Sequence, residues 1–179
     1  MIRTLAPLAA LLALAIPTAA QANLPVGAKA PPFATAAAKA GKATRFHLAS
    51  ALEKGPVVLY FYPKAFTEGC TLETKAFADA HDQFAAAGAT VIGMSNDDLP
   101  TLKRFSKEAC GSKFAVGIAS PYVIEGYDVD LVRDGKSTGY TERTSYVIGQ
   151  DGRIAFVHGD MDYRDHVRLT LDAVKKLAR

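Results

Sequence analysis

Charge is the first thing this chain has little of. Its 179 residues carry 21 Lys and Arg against 18 Asp and Glu, a net charge of +3. That excess is too small to hold a polyanion, and no Lys or Arg run with interleaved aromatics occurs, so nucleic acid is not an expected partner. Cysteine is scarcer still, with Cys70 and Cys110 the two present. Two cysteines exclude a disulfide scaffold, and a chain this long does not need one. His47, His81, His158 and His166 show no His-x-x-His spacing, and no Cys-x-x-Cys occurs. Neither a metal site nor a cofactor is therefore expected. Lys136-Ser137-Thr138-Gly139 lacks the upstream glycine that a phosphate loop requires.

No apolar run is long enough to span a bilayer. The stretch at residues 5–16 belongs to another pattern. Met1-Ile2-Arg3-Thr4 supplies one positive charge before it, and Pro17-Thr18-Ala19-Ala20-Gln21-Ala22 ends in Ala-x-Ala form after it. These three parts make a secretory signal peptide with cleavage after Ala22. Residues 1–22 are thus expected to be removed. Residues 23–179 remain as a single domain, periplasmic or secreted, with no stable membrane attachment. Small solutes are the expected partners of so weakly charged a domain.

What is present is a regular alternation of strand and helix signals. Residues 23–50 are rich in Ala, Pro and Lys. They read as an arm with a hairpin or edge strand around Arg45-Phe46-His47-Leu48. Val57-Val58-Leu59-Tyr60-Phe61-Tyr62, bounded by Gly55-Pro56 and Pro63, reads as a central strand buried on both faces. Leu72, Ala76, Phe77, Ala80 and Phe84 predict one helix over residues 70–87, ended by Gly88. A second buried strand spans residues 90–95, Asn96-Asp97-Asp98 opens a helix over 99–109, and a third strand spans 114–119. A short helix over 121–129 and a loop or short hairpin over 131–140 follow. Strands at 144–148 and 153–157 flank Asp151-Gly152, a strong hairpin signal. A helix over 165–178 carries Val167, Leu171, Val174 and Leu177 on one stripe. The β-α-β-α-β order gives parallel strands joined by helical crossovers, and the later hairpin adds antiparallel edge strands. The predicted class is α/β: a thioredoxin-like three-layer α/β/α sandwich with a mixed central sheet.

Cys70 lies where the first buried strand gives way to the first long helix. There a sulfur meets unpaired backbone N–H groups and the positive end of the helix dipole. Both favour the thiolate, which is the nucleophilic form. Upstream of it, Pro63, Thr67 and Cys70 stand in the spacing Pro-x-x-x-Thr-x-x-Cys.

That motif resembles the one in the peroxiredoxins. The likeness runs from Val26-Gly27-x-x-Ala30-Pro31-x-Phe33 to the C-terminal helix. Pro63-Lys64 and Gly69-Cys70-Thr71-x-Glu73 look most like the bacterioferritin comigratory protein subgroup. Arg143-Thr144-Ser145-Tyr146-Val147-Ile148 matches the segment with the family's second-site arginine. The resemblance implies a thiol peroxidase that reduces hydrogen peroxide and organic hydroperoxides through a Cys70 sulfenic acid, and the leader at residues 1–22 makes the expected enzyme an exported one. Its catalytic set is then Cys70, Thr67, Arg143 and Pro63. The physical chemistry agrees, because the transition state spreads negative charge over sulfur and two oxygens and needs fixed donors. The Thr67 hydroxyl and the N–H groups of Gly69 and Cys70 can hold peroxide oxygens. Arg143 supplies a rigid cationic fork, and Pro63, lacking an N–H, walls the pocket. Taken singly, Thr67 reads as a helix cap, Pro63 as a strand end and Arg143 as a solvated residue. Glu73 reads as favourable charge near a helix start, not as a catalytic group.

The sequence departs from the subgroup in three places. Many relatives carry a second cysteine five positions after the first, where this chain has Lys75. Ala65-Phe66 stands where Asp-Asp is common, and Glu68 replaces a frequent proline. Cys110 is then the resolving candidate, closing an intramolecular disulfide with Cys70 that an external thioredoxin-like or small thiol would reduce. Cysteine α-carbons must come within about 7 Å to be bridged, so such a pair requires local unwinding. The resemblance also leans to a monomer. Two alternatives stay open: a one-cysteine peroxidase resolved by an external thiol, and a non-enzymatic binding domain with a structural Cys70–Cys110 bond. Dithiol exchange of the Cys-x-x-Cys kind is excluded by Thr71, Leu72 and Glu73, and copper delivery through Cys-x-x-x-Cys by Thr74.

Overall fold

A computed structural model describes residues 23–178; the proposed signal peptide lies outside the described residues. The first described residues run along the later hairpin, where the Gly27 N–H donates to the Ile154 carbonyl at 2.7 Å. Strands β1 (Ala34–Lys39) and β2 (Lys42–His47) then form a hairpin, in which Ala40 and Gly41 turn the chain with φ of 53° and 78°. The expected arm is this hairpin. A five-residue helix, α1 (Leu48–Leu52), leads to β3 (Val57–Phe61), whose residues are all buried.

The single helix expected over residues 70–87 is two. Helix α2 (Glu68–Asp79) stops at Ala80, and α3 (His81–Ala86) restarts the chain. Ala80 sits at φ −88° and ψ −1°, and its carbonyl accepts from the N–H groups of both Gln83 and Phe84. This tight corner keeps Phe84 in the same core as Phe77, with ring centroids 5.9 Å apart. Next come β4 (Thr90–Ser95), α4 (Leu99–Glu108), β5 (Ala115–Ile118) and α5 (Pro121–Gly126). Residues 131–140 form the hairpin of β6 (Asp130–Arg133) and β7 (Lys136–Thr141). Strands β8 (Thr144–Ile148) and β9 (Ile154–Gly159) precede a 3-10 turn and α6 (His166–Leu177).

Seven strands make one mixed sheet in the order β2-β1-β5-β4-β3-β8-β9. Pairs β3–β4 and β4–β5 are parallel, while β8 is antiparallel to β3. The later hairpin therefore contributes one edge strand, β9, and one interior strand, β8, whose five residues are all buried. Strand alternation assigns the two sheet faces. Val58, Tyr60 and Tyr62 face α2, α3, α4 and α6, whereas Val57, Leu59 and Phe61 face α1 and α5. This is the expected three-layer sandwich. Among the described residues, no helix is long and apolar enough to cross a membrane.

Two features of this frame place the site. Phe61 pairs with Thr144 and with Met94, so β3, the entry to β8 and the end of β4 meet at one rim of the sheet. The segments 62–67, 95–98 and 142–143 are thereby neighbours. Beneath that rim, Tyr60 stacks on Phe77 of α2 at 4.3 Å, and its hydroxyl meets the Thr74 hydroxyl at 3.1 Å. The Tyr60 ring occupies the space above Gly93, where a Cβ would lie 2.5 Å from the ring. A glycine in β4 thus permits the tyrosine that fixes α2 on the sheet.

Candidate active site

The loop between β3 and α2 is held from below. The Asp97 carboxylate accepts from the Ala65 N–H and from the Ser95 hydroxyl, both at 2.8 Å. The Thr141 hydroxyl donates to the Tyr62 carbonyl at 2.8 Å. Phe66 adopts a left-handed φ of 65°, uncommon for a residue with a side chain. Its ring meets Phe105 of α4 edge-on at 5.1 Å, and the Arg104 guanidinium lies 5.2 Å from it. Of the two carboxylates read as a helix start, Asp98 does cap α4, accepting from the Thr101 N–H at 2.8 Å. Asp97 instead pins the loop.

Thr67 occupies the N-cap position of α2 but makes no side-chain cap. Its hydroxyl donates to the Lys64 carbonyl at 2.9 Å. The first-turn N–H groups of an α-helix have no partner within it. Glu68, Gly69 and Cys70 are the first three residues of α2, so Thr67 leaves the donors of Gly69 and Cys70 uncapped at the helix mouth. Pro63 is half-buried directly after the β3 rim, and Thr67 is exposed.

The Cys70 side chain is buried, and its sulfur accepts from Arg143 Nη2 at 3.5 Å. Arg143 immediately precedes β8 and is 5% exposed. Its Nε donates to the Met161 carbonyl at 2.9 Å, and its Nη1 donates to the Glu73 carboxylate. All three guanidinium nitrogens thus have partners, which fixes the fork. A Cβ on Gly69 would lie 3.3 Å from Nη2, so the absent side chain gives the guanidinium room. A cation and the N-terminal end of a helix converge on one sulfur, which places positive charge where an attacking anion needs it.

Behind this pair lies a second set of polar groups. Glu73 is fully buried, and burial pushes its carboxyl up to about 8, although Arg143 opposes the rise. His166, at the start of α6, lies with Nδ1 3.7 Å from Glu73 Oε1. Its Nδ1 pairs with the Ser145 hydroxyl at 2.8 Å and its Nε2 with the Asp160 carbonyl at 2.9 Å. A carbonyl only accepts, so Nε2 carries the hydrogen and Ser145 donates to Nδ1. Burial lowers this imidazole to about 4 and keeps it neutral. The Asp160 N–H returns to the Arg143 carbonyl at 3.2 Å.

Cys110 follows α4 on the same face of the sheet. It is fully buried, and burial alone pushes its thiol up to about 12. Gly111 and Ser112, both left-handed, turn the chain directly after it. Both cysteines are free thiols. Phe105 of α4 packs against Tyr62 at 5.4 Å as well as against Phe66, so α4 and the Cys70 loop share one aromatic contact. Lys75 is exposed on α2.

A family model described as the AhpC/TSA family matches residues 26–157. The chain is a peroxiredoxin of that family. It shares 33% identity over 125 residues with peroxiredoxin Bcp of Bacillus subtilis, covering 68% of this chain and 79% of that protein. Peroxidoxin BcpB from Mycobacterium tuberculosis superimposes with a TM-score of 0.75 at 27% identity, over 85% of this chain and 97% of that one. The bacterioferritin comigratory protein of Xanthomonas campestris gives 0.70 at 26% identity, over 80% of this chain and 92% of that one. The chain is thus a Bcp-like peroxiredoxin, a thiol peroxidase with the thioredoxin-like fold of its family. Peroxiredoxins act on peroxides.

Sequence reasoning passed over four groups that hold this peroxiredoxin's site together. Asp97 was legible as part of a helix start, and its role in the loop needed the β3–β4 register. Ser145, Met161 and His166 come from separate segments, and no one-dimensional spacing links them to Cys70. His158 and His166 look scattered in sequence, yet their rings lie 4.6 Å apart.

Proposed function

We propose that this peroxiredoxin is an exported enzyme that reduces hydrogen peroxide and organic hydroperoxides through Cys70, with Cys110 as its resolving thiol. The observation that carries the reading is the set of donors on one sulfur: Arg143 Nη2 at 3.5 Å beside a helix mouth that Thr67 leaves uncapped. The Cys70 thiolate attacks one peroxide oxygen. The S–O bond forms, the O–O bond breaks, and the departing hydroxide or alkoxide takes up a proton. Thr67 can accept the peroxide hydrogen, since its own hydroxyl hydrogen is given to Lys64. The N–H groups of Gly69 and Cys70 and the Arg143 fork stabilise the negative charge on oxygen and sulfur. Pro63 shields the pocket wall from water. The Xanthomonas campestris protein has alkyl peroxide reduction activity, which supports organic hydroperoxides as substrates here.

In the second step Cys110 sulfur displaces water from the Cys70 sulfenic acid and the disulfide forms. An external thioredoxin-like or small thiol then reduces it by exchange. Both thiols are buried, so the first turn of α2 and the end of α4 must open together. The aromatic contact of Phe66, Tyr62 and Phe105 joins those two segments. The three-part pattern of residues 1–22 supports export to the periplasm or beyond, and the mature domain acts as a monomer. One observation favours a second reading, in which an external thiol resolves Cys70 directly: the burial that pushes the Cys110 thiol up to about 12 makes it a poor nucleophile while α4 stays closed.

Cys110→Ser separates the two. If Cys110 resolves Cys70, the variant consumes one equivalent of peroxide at the wild-type rate, accumulates a trappable sulfenic acid and loses steady turnover with a dithiol reductant. Unchanged steady turnover assigns resolution to the external thiol.

A further inference from the structure

Two buried acids face one buried cation in this site. Cys70 is 1% exposed, Glu73 0% and Arg143 5%. Cys70 and Glu73 lie one turn apart on α2, and Arg143 reaches both, with Nη2 on the sulfur and Nη1 on the carboxylate. Its Nε is spent on the Met161 carbonyl. Among the described residues, no further cation faces Glu73. From α6, His166 presents a neutral imidazole whose two nitrogens are engaged by Ser145 and Asp160. From β9, the His158 ring lies edge-on against the His166 ring at 4.6 Å. From β3, the Tyr60 hydroxyl is bonded to Thr74, and burial raises it well above the ordinary phenol range. Glu73 Oε1 is buried with no hydrogen-bond partner among the described residues.

Two negative charges against one guanidinium would leave a net buried charge, which a low-dielectric interior opposes. A carboxylic acid carrying its hydrogen on the orphaned oxygen removes that excess. We propose that Cys70 and Glu73 share one proton and one negative charge across Arg143, so that Glu73 is the protonated partner whenever Cys70 is the thiolate. The burial that raises the Glu73 carboxyl points the same way. Glu73 acts here through Arg143 and is a positioning residue, not a group that touches peroxide.

The balance of the first chemical step follows. The reactive state holds the Cys70 thiolate, the Glu73 carboxylic acid and the Arg143 cation. Sulfur loses two electrons to the peroxide, the S–O bond forms, and the O–O bond breaks. The departing alkoxide takes a proton from solvent and leaves as the alcohol, and Glu73 releases its proton to solvent, so no net proton is consumed. The sulfenic acid is neutral, Glu73 becomes the carboxylate paired with Arg143, and the buried charge is the same before and after. Arg143 then never stands unpaired, and the product state is not penalised for losing the thiolate.

The inference rests on the peroxidase reading, but its test does not. The carbonyl stretch of a buried carboxylic acid is visible by infrared difference spectroscopy. Near neutral pH the reduced wild-type chain should show such a band, and Glu73→Gln should lack it. Cys70→Ala should also lack it without any peroxide, because Arg143 then serves Glu73 alone. A band that persists in Cys70→Ala overturns the proposal. In a Cys110→Ser background, Glu73→Gln should move the pH profile of Cys70 alkylation by iodoacetamide to lower pH by about one unit, as loss of a competing charge requires. A profile that stays in place or moves up overturns it equally. Should Glu73→Gln fail to fold, the Cys70→Ala spectrum decides alone. Loss of the band in Cys70→Ala together with no peroxide turnover in the wild type would refute the peroxidase function and leave the shared proton standing.

Discussion

Cys70 and Cys110 are both buried, both face the same side of the sheet, and both sit at a helix end. Their surroundings are opposite. Cys70 lies in the first turn of α2, with a guanidinium 3.5 Å from its sulfur. Cys110 lies beyond the last turn of α4 among apolar side chains, and burial pushes its thiol up to about 12. The N-terminal end of a helix stabilises an anion and the C-terminal end does not. Burial alone therefore does not decide how reactive a thiol is. The end of the helix and the presence of one fixed cation do.

The sharpest way to break this contrast is to remove the cation. Arg143→Ala should make Cys70 resemble Cys110. Loss of one aimed donor in a dry site costs on the order of 100-fold in rate. The peroxide step measured by stopped flow should fall by about that factor, and the thermal midpoint should fall too, because Glu73 and the Met161 carbonyl lose their buried partner. A rate within about twofold of wild type would mean that the helix end suffices, since a factor of two is under 0.5 kcal/mol.

His166 tests the buried layer under Cys70, for which Cys110 has no counterpart. Burial lowers its imidazole from 6.5 to about 4. A depressed value means that the neutral form stabilises the fold above 6.5 and that this stability is lost as pH falls towards 4. At full effect the loss is about 3 kcal/mol. Above about pH 5, where an unfolded glutamate is ionised and an unfolded cysteine is not, the shared-proton arrangement binds one proton both folded and unfolded and leaves this slope unchanged. Denaturant titrations of His166→Asn should accordingly show a flatter profile between those limits. A slope equal to that of the wild type would place the acid sensitivity elsewhere.

The smallest of these effects concerns the frame that the two thiols share. In Gly93→Ala the new Cβ would clash with Tyr60, which fixes α2 through Phe77 and Thr74. Overpacking of this kind costs roughly 1–3 kcal/mol. Chemical denaturation should record that loss. A variant as stable as the wild type would show that Tyr60 has room to move and that α2 is not locked by it.

The contrast between the two thiols was half legible in the sequence. Pro63, Thr67 and Cys70 fall within eight consecutive residues, so their spacing alone presents them together. Arg143 was readable through the family segment that carries it. Glu73, Ser145 and His166 meet only because β8 pairs with β3 and α6 packs back across it, which no local pattern encodes. The break at Ala80 was hidden for another reason. Phe77 and Phe84 keep helical spacing across it, and neither glycine nor proline marks the corner. Strand β1 is mostly alanine, a residue depleted in strands, so only its partner β2 stood out.

The central claim is that Cys70 is an activated nucleophile for peroxide and Cys110 its partner. Its most direct test mixes the reduced mature chain with one equivalent of hydrogen peroxide and counts free thiols against time. The account predicts that both thiols disappear within the fast phase, leaving an intramolecular disulfide that a dithiol reverses. Loss of thiol at the slow rate of an ordinary free cysteine would contradict it.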